Sequence, residues 1–134
     1  MNTSNLYDLA EENKIEVIQF DLRNCESVSI ATNGDYYIGI DKNINKTADE
    51  KVHLAHELGH CITGAFYNEY SDNDIRERAE YKANKWAILR LVPKKIFIDL
   101  LKKGYKQWEL AEYFEVTEDF IKKAFHLYCE VKMI

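Results

Sequence analysis

The chain has 134 residues, 46% of them hydrophobic, with one proline and five glycines, a composition that excludes a disordered or low-complexity polypeptide and suits one domain around one core. A formal charge of −5 argues against direct binding to nucleic acid or anionic lipid, which attract basic surfaces. Met1 to Asn13 is polar and acidic, no run approaches the roughly 18 apolar residues of a membrane span, and the cysteines Cys25, Cys61 and Cys129 are odd in number and far apart, so a cytoplasmic protein without a membrane partner is expected.

In chain order, Ser4 to Asn13 carries Leu6, Leu9 and Ala10 at helical spacing, with Ser4 as the expected N-cap of a short amphipathic helix. Three runs with strand character follow: Ile15 to Asp21, Ser27 to Thr32 and Asp35 to Asp41. Asn33-Gly34 between the last two is a strong two-residue hairpin signal, and an antiparallel three-stranded meander is the natural expectation. Thr47-Ala48-Asp49-Glu50 has the form of a capping box, predicting a helix from about Ala48 to Ala65 or Phe66. A second long helix is expected from Asp74 to Leu91, ended by Pro93, with Ala79, Ala83 and Ala87 forming a small-residue stripe that permits close packing. Three shorter helices should follow, at about Pro93 to Lys103, Gln107 to Phe114 and Glu118 to Glu130, the last capped by Thr117. The expected architecture is α+β: a single domain over 1–134, with a core over 1–92 and a helical C-terminal subdomain over 93–134.

The first long helix contains His56-Glu57-Leu58-Gly59-His60. Positions i and i+4 of a helix differ by about 40° of rotation and one turn of rise, so both imidazoles can address one zinc ion, with the Glu57 carboxylate beside them as general base. A catalytic zinc needs a third protein ligand and an open fourth position. The second long helix offers Glu77 and Glu80. Glu80 is preferred, because Asn84 lies one turn further on, where its amide can hydrogen-bond a ligating group, and because the alanine stripe lets this helix approach closely. Such a site hydrolyses amide bonds: zinc activates water and polarises the carbonyl, and Glu57 carries the proton to the leaving amine.

Asp35-Tyr-Tyr-Ile-Gly-Ile-Asp41, His53-Leu-Ala-His-Glu-Leu-Gly-His60, Glu80-Tyr-Lys-Ala-Asn-Lys-Trp-Ala87 and Leu91-Val-Pro93 together resemble the ImmA/IrrE family of zinc-dependent endopeptidases, over roughly residues 30 to 95. The resemblance implies a minimal zincin-like (gluzincin-like) fold, zinc on His56, His60 and Glu80, and catalysis by Glu57. It further implies a cytoplasmic protease of a prophage or mobile element whose protein substrate is a helix-turn-helix repressor. Arg90 stands where the family usually has a leucine, and the short C-terminal tail resembles the phage-type branch. The competing reading is a catalytically idle module of the same fold that binds a repressor without cutting it.

Other residues complete the expected site. Gly39, on a strand read as an edge, would let a substrate backbone approach as an added strand. His53 shares the face of His56 and His60 and is a candidate for substrate or oxyanion contact, alongside Tyr36, Tyr67 and His126. Cys61 is offset from the ligand face and reads as a packed thiol. Leu110 to Thr117 resembles the start of a helix-turn-helix, but Glu118 and Asp119 would face DNA at the start of the next helix. A packed helical subdomain that buttresses the site, or docks the repressor, is therefore preferred.

Overall fold

The computed structural model describes residues 1–44 and 46–130; the last four residues of the expected C-terminal subdomain lie outside the described residues. Three strands and six helices follow in the order α1 (Thr3–Glu12), β1 (Ile15–Phe20), β2 (Ser27–Thr32), β3 (Asp35–Asp41), α2 (Thr47–Thr63), α3 (Asn73–Leu91), α4 (Lys94–Lys102), α5 (Gln107–Phe114) and α6 (Glu118–Glu130). The α+β class and three-stranded sheet agree with the sequence. The strand pairing does not.

The sheet order is β1-β3-β2, with β1 parallel to β3 and β2 antiparallel to it. The expected antiparallel meander is therefore corrected to a mixed sheet with β3 in the middle. The Asn33-Gly34 hairpin forms as read, both residues having positive φ, which a turn matched to strand twist requires. The connection before β2 crosses the end of β3 instead of turning back beside β1. Asp41 fixes that crossing: its N–H donates to the Glu26 carbonyl, and its carboxylate accepts from the Leu22 N–H. Alternation of apolar residues is the same for either pairing, so sequence pattern alone did not separate them.

Two helix starts also differ from expectation. Helix α1 is capped by Asn2, which forms a reciprocal capping box with Asn5, in place of Ser4. Helix α2 begins one residue early, with Lys46 at the cap and no side-chain cap bond, so the Thr47 capping box does not form. The Glu50 carboxylate instead accepts the Tyr7 hydroxyl of α1. At the other end, Gly64 adopts the left-handed conformation with φ 70° and stops α2 at Thr63, short of the expected Ala65 or Phe66, the common use of glycine after a helix.

Ile38 and Ile40 of β3 and Leu54 and Leu58 of α2 are among the fully buried side chains, and one hydrophobic cluster runs from Leu6 through these to Phe97, Phe114 and Tyr128. Ala79, Ala83 and Ala87 of α3 are all buried. A Cβ on Gly59 of α2 would lie 2.6 Å from the Ala83 carbonyl oxygen and 2.9 Å from its Cα. The two long helices thus touch backbone to backbone at Gly59 and Ala83, an approach only glycine allows. That contact brings the carboxylate of one helix to the imidazoles of the other.

Candidate metal centre

His56 and His60, one turn apart on α2, meet Glu80 of α3. The two Nε2 atoms are 3.2 Å apart; His56 Nε2 is 2.8 Å from Glu80 Oε2 and His60 Nε2 is 3.3 Å from Glu80 Oε1. Among the described residues these three side chains form the group whose ligand atoms converge as a metal requires, all within 4.8 Å of one another. Glu77, on the same helix, does not enter it.

The outer nitrogens settle how the rings are used. His60 Nδ1 lies 2.6 Å from the Ala65 carbonyl oxygen, which can only accept, so Nδ1 carries the hydrogen. His56 Nδ1 lies 2.8 Å from Asn84 Oδ1, and the same reasoning applies. Both Nε2 lone pairs then point into one space, which two neutral imidazoles would not choose without a cation between them. Two imidazole nitrogens bound at about 2.05 Å to a tetrahedral zinc stand about 3.3 Å apart, close to the separation found. The residues fit the ion.

The electrostatics of the three side chains favour positive charge at the point where they meet. With a proton on each Nε2 in place of a metal ion, the two rings donate to Glu80 and hold its carboxyl well below the usual carboxylate range, so it stays ionised. Burial would lower the His60 pKa, but the Glu80 hydrogen bond, the Ala65 contact and the charges of Glu80 and Glu57 outweigh it and raise it. The Tyr67 hydroxyl donates to Glu80 Oε1; this bond and partial burial push its pKa up to about 12, so it remains a neutral donor that orients the carboxylate.

Glu57 is 6% exposed and its Oε2 accepts a 2.7 Å hydrogen bond from Ser27 Oγ at the start of β2. The Ser27 hydroxyl also lies 3.0 Å from His53 Nδ1, and His53 Nε2 contacts a Glu26 carboxylate oxygen. All of these groups line a cleft of about 510 Å³, bounded by residues 25–29 of the β2 region on one side and by Phe66, Tyr67, Phe120 and Lys123 on others. The C-terminal helix α6 thus supplies part of the wall.

Of the remaining residues considered from sequence, His53 and Tyr67 line the cleft, whereas Tyr36 stacks on Phe66 behind it and His126 is exposed on α6. Cys61 is buried in the core cluster, and burial followed by the charge of Glu57 raises its thiol to about 12. Gly39 is corrected: it sits on the central strand, paired on both sides, and a Cβ there would lie 3.2 Å from Val28 Cγ1 and 3.7 Å from Leu22 Cδ1. It makes room for neighbouring side chains, and no added strand can pair with β3. Sequence reasoning missed Ser27, which no spacing rule connects to Glu57, and the part played by Gly59. It also missed Lys51, a buried lysine whose Nζ donates to the Phe114 carbonyl oxygen at the end of α5.

Among protein families, the one described as the IrrE N-terminal-like domain, a peptidase family, matches residues 10–126. No match was found among curated proteins.

Proposed function

The chain belongs to the peptidase family of the IrrE N-terminal-like domain, and on that premise we propose that it is a zinc-dependent endopeptidase in which His56, His60 and Glu80 hold the metal and Glu57 is the general base. The membership itself carries a metallopeptidase type of function. The observation that supports the finer reading is the convergence of two Nε2 lone pairs on one ionised carboxylate, beside a second carboxylate in the same cleft.

A zinc ion in this cradle would supply Lewis-acid polarisation of both the attacking water and the scissile carbonyl. Asn84 and the Ala65 carbonyl hold the two rings in the tautomer that offers Nε2, and Tyr67 holds Glu80. Glu57, with Oε2 anchored by Ser27, takes a proton from the attacking water on its free oxygen and passes it to the leaving nitrogen. Water oxygen adds to the carbonyl carbon first, and the C–N bond breaks once the nitrogen has received that proton, so that the products are a carboxylate and an amine.

The substrate is proposed to be a polypeptide laid along β2. With β3 central, the free sheet edge beside the metal helix is Ser27–Thr32, and Ser27, Val28 and Ser29 line the cleft. An extended segment can add there through main-chain hydrogen bonds. The chemical partner suggested by the family resemblance is a helix-turn-helix repressor of a prophage or mobile element, cut in the cytoplasm. No helix among the described residues is long and apolar enough to cross a membrane.

The test pairs Glu57→Gln with the wild-type chain. Both should bind zinc equally, and the variant should lose about 100-fold or more of its cleavage rate on a helix-turn-helix repressor encoded alongside it. A variant that relieves repression as well as the wild type would favour the binding module over the enzyme.

A further inference from the structure

Glu57 has an anchor, and the anchor has its own supports. Ser27 Oγ is 2.7 Å from Glu57 Oε2 and 3.0 Å from His53 Nδ1. A serine hydroxyl has one hydrogen, and an ionised carboxylate can only accept, so that hydrogen lies on the path to Glu57. The Ser27 oxygen is then the acceptor for His53, which must carry a hydrogen on Nδ1. With the other tautomer the hydroxyl would have two acceptors competing for one hydrogen, and Glu57 would lose its partner part of the time.

The ring is held so that this does not occur. His53 Nε2 contacts the Glu26 carboxylate, which can only accept, so Nε2 carries a hydrogen as well as Nδ1, and the ring is clamped as an imidazolium between two consecutive residues, Glu26 and Ser27. The Glu26 carbonyl accepts the Asp41 N–H of β3 at 2.9 Å, which ties the dipeptide to the central strand. His53 itself stands on α2 one turn before His56. The clamp therefore joins the sheet to the metal helix at the position of Glu57.

We propose that Ser27 is a positioning residue for Glu57, and that His53, fixed by Glu26, turns the Ser27 hydroxyl towards the carboxylate. This rests on the reading of Glu57 as general base. Locking Oε2 leaves the other oxygen to exchange the proton, and it limits rotation of a carboxylate whose aim decides the rate. His53 acts through Ser27 here, without touching the reacting atoms.

The test uses the full-length, zinc-loaded chain with unfolded casein as the probe, together with heteronuclear NMR of the histidine ring nitrogens. In the wild type, the His53 Nδ1 should carry a hydrogen in a hydrogen bond, and that signature should be lost in Ser27→Ala. Ser27→Ala should keep its zinc and its KM while kcat falls about 10- to 100-fold. Ser27→Thr should restore most of the rate, and His53→Asn, which keeps a donor near the Nδ1 position, should be less impaired than His53→Ala. A wild-type rate in Ser27→Ala, or a wild-type His53 with no hydrogen on Nδ1, would overturn the proposal. A chain that binds zinc but leaves casein and repressor intact would count against the peptidase reading, while the ring-nitrogen spectra would still decide the Ser27 contact.

Discussion

At the residue scale, the decisive chemistry is the assignment of hydrogens around two imidazoles. Asn84 Oδ1 and the Ala65 carbonyl each take an Nδ1 hydrogen, and this is what frees both Nε2 atoms for a metal. Asn84→Ala should therefore weaken zinc about 10- to 100-fold in a chelator competition while leaving the fold intact; an unchanged affinity would show that the amide does not orient His56. Cys61 makes the opposite case, a thiol beside a proposed ligand, His60, that is packed into the core. Its pKa is raised from the ordinary 9.0 to about 12, so the folded state holds this proton more tightly than the unfolded chain. Its contribution to stability is complete below about pH 9 and is lost as pH rises towards about 12. Native protein at pH 8 should expose Cys25 and Cys129, but not Cys61, to a thiol reagent, and Cys61→Ala should flatten the alkaline loss of stability. Equal reaction of all three thiols would contradict the burial.

At the element scale, the crossing of α2 and α3 does what no single ligand can. Gly59 faces the Ala83 backbone at a distance no Cβ tolerates, so Gly59→Ala should push the helices apart, cost about 1–3 kcal/mol and weaken zinc by withdrawing Glu80. Thermal melts and metal titration of that variant would check both effects; a stable, zinc-tight Gly59→Ala would mean that the helices can slide without loss. The free edge of β2 makes a separate claim. Amides of Ser27–Thr32 should gain hydrogen-exchange protection when Glu57→Gln is mixed with casein, whereas protection confined to β1 would move the substrate to the opposite edge. Much of this scale was legible in sequence: the H-E-x-x-H spacing, the one-turn offset from Glu80 to Asn84, the alanine stripe and the Asn33-Gly34 turn are all local patterns with one mechanical reading. The parallel pairing of β1 with β3 was not legible, because the connection over residues 21–26 and the Asp41 contacts that fix it are tertiary. Ser27 was invisible for the same reason, lying 30 residues from the carboxylate it anchors. Gly64, the left-handed residue that stops α2, is passed over in the expectation of a helix to Ala65 or Phe66, although a glycine at a helix end is a readable stop signal.

At the scale of the whole molecule, the C-terminal helices are joined to the site. Phe120 and Lys123 of α6 form part of the cleft wall, and Lys51 of α2 reaches across to the Phe114 carbonyl at the end of α5 with an Nζ to O distance of 2.7 Å. Burial lowers the Lys51 pKa, with Glu115 working against that shift, and the bond to a helix-terminal carbonyl is where a buried cation finds compensation. Lys51→Met should leave that carbonyl unpaired and cost about 1–3 kcal/mol in chemical denaturation, and a neutral outcome would reduce the lysine to a packed aliphatic stem. The acidic first turn of α6, with Glu118 and Asp119, belongs to a helix that walls the cleft. The account as a whole stands on the metal. The most direct measurement is elemental analysis of the purified chain beside Glu80→Ala, without added zinc. About one zinc per chain, lost or greatly reduced in the variant, is the expected result; a wild-type chain that takes up no zinc even when it is supplied would contradict the account at its centre.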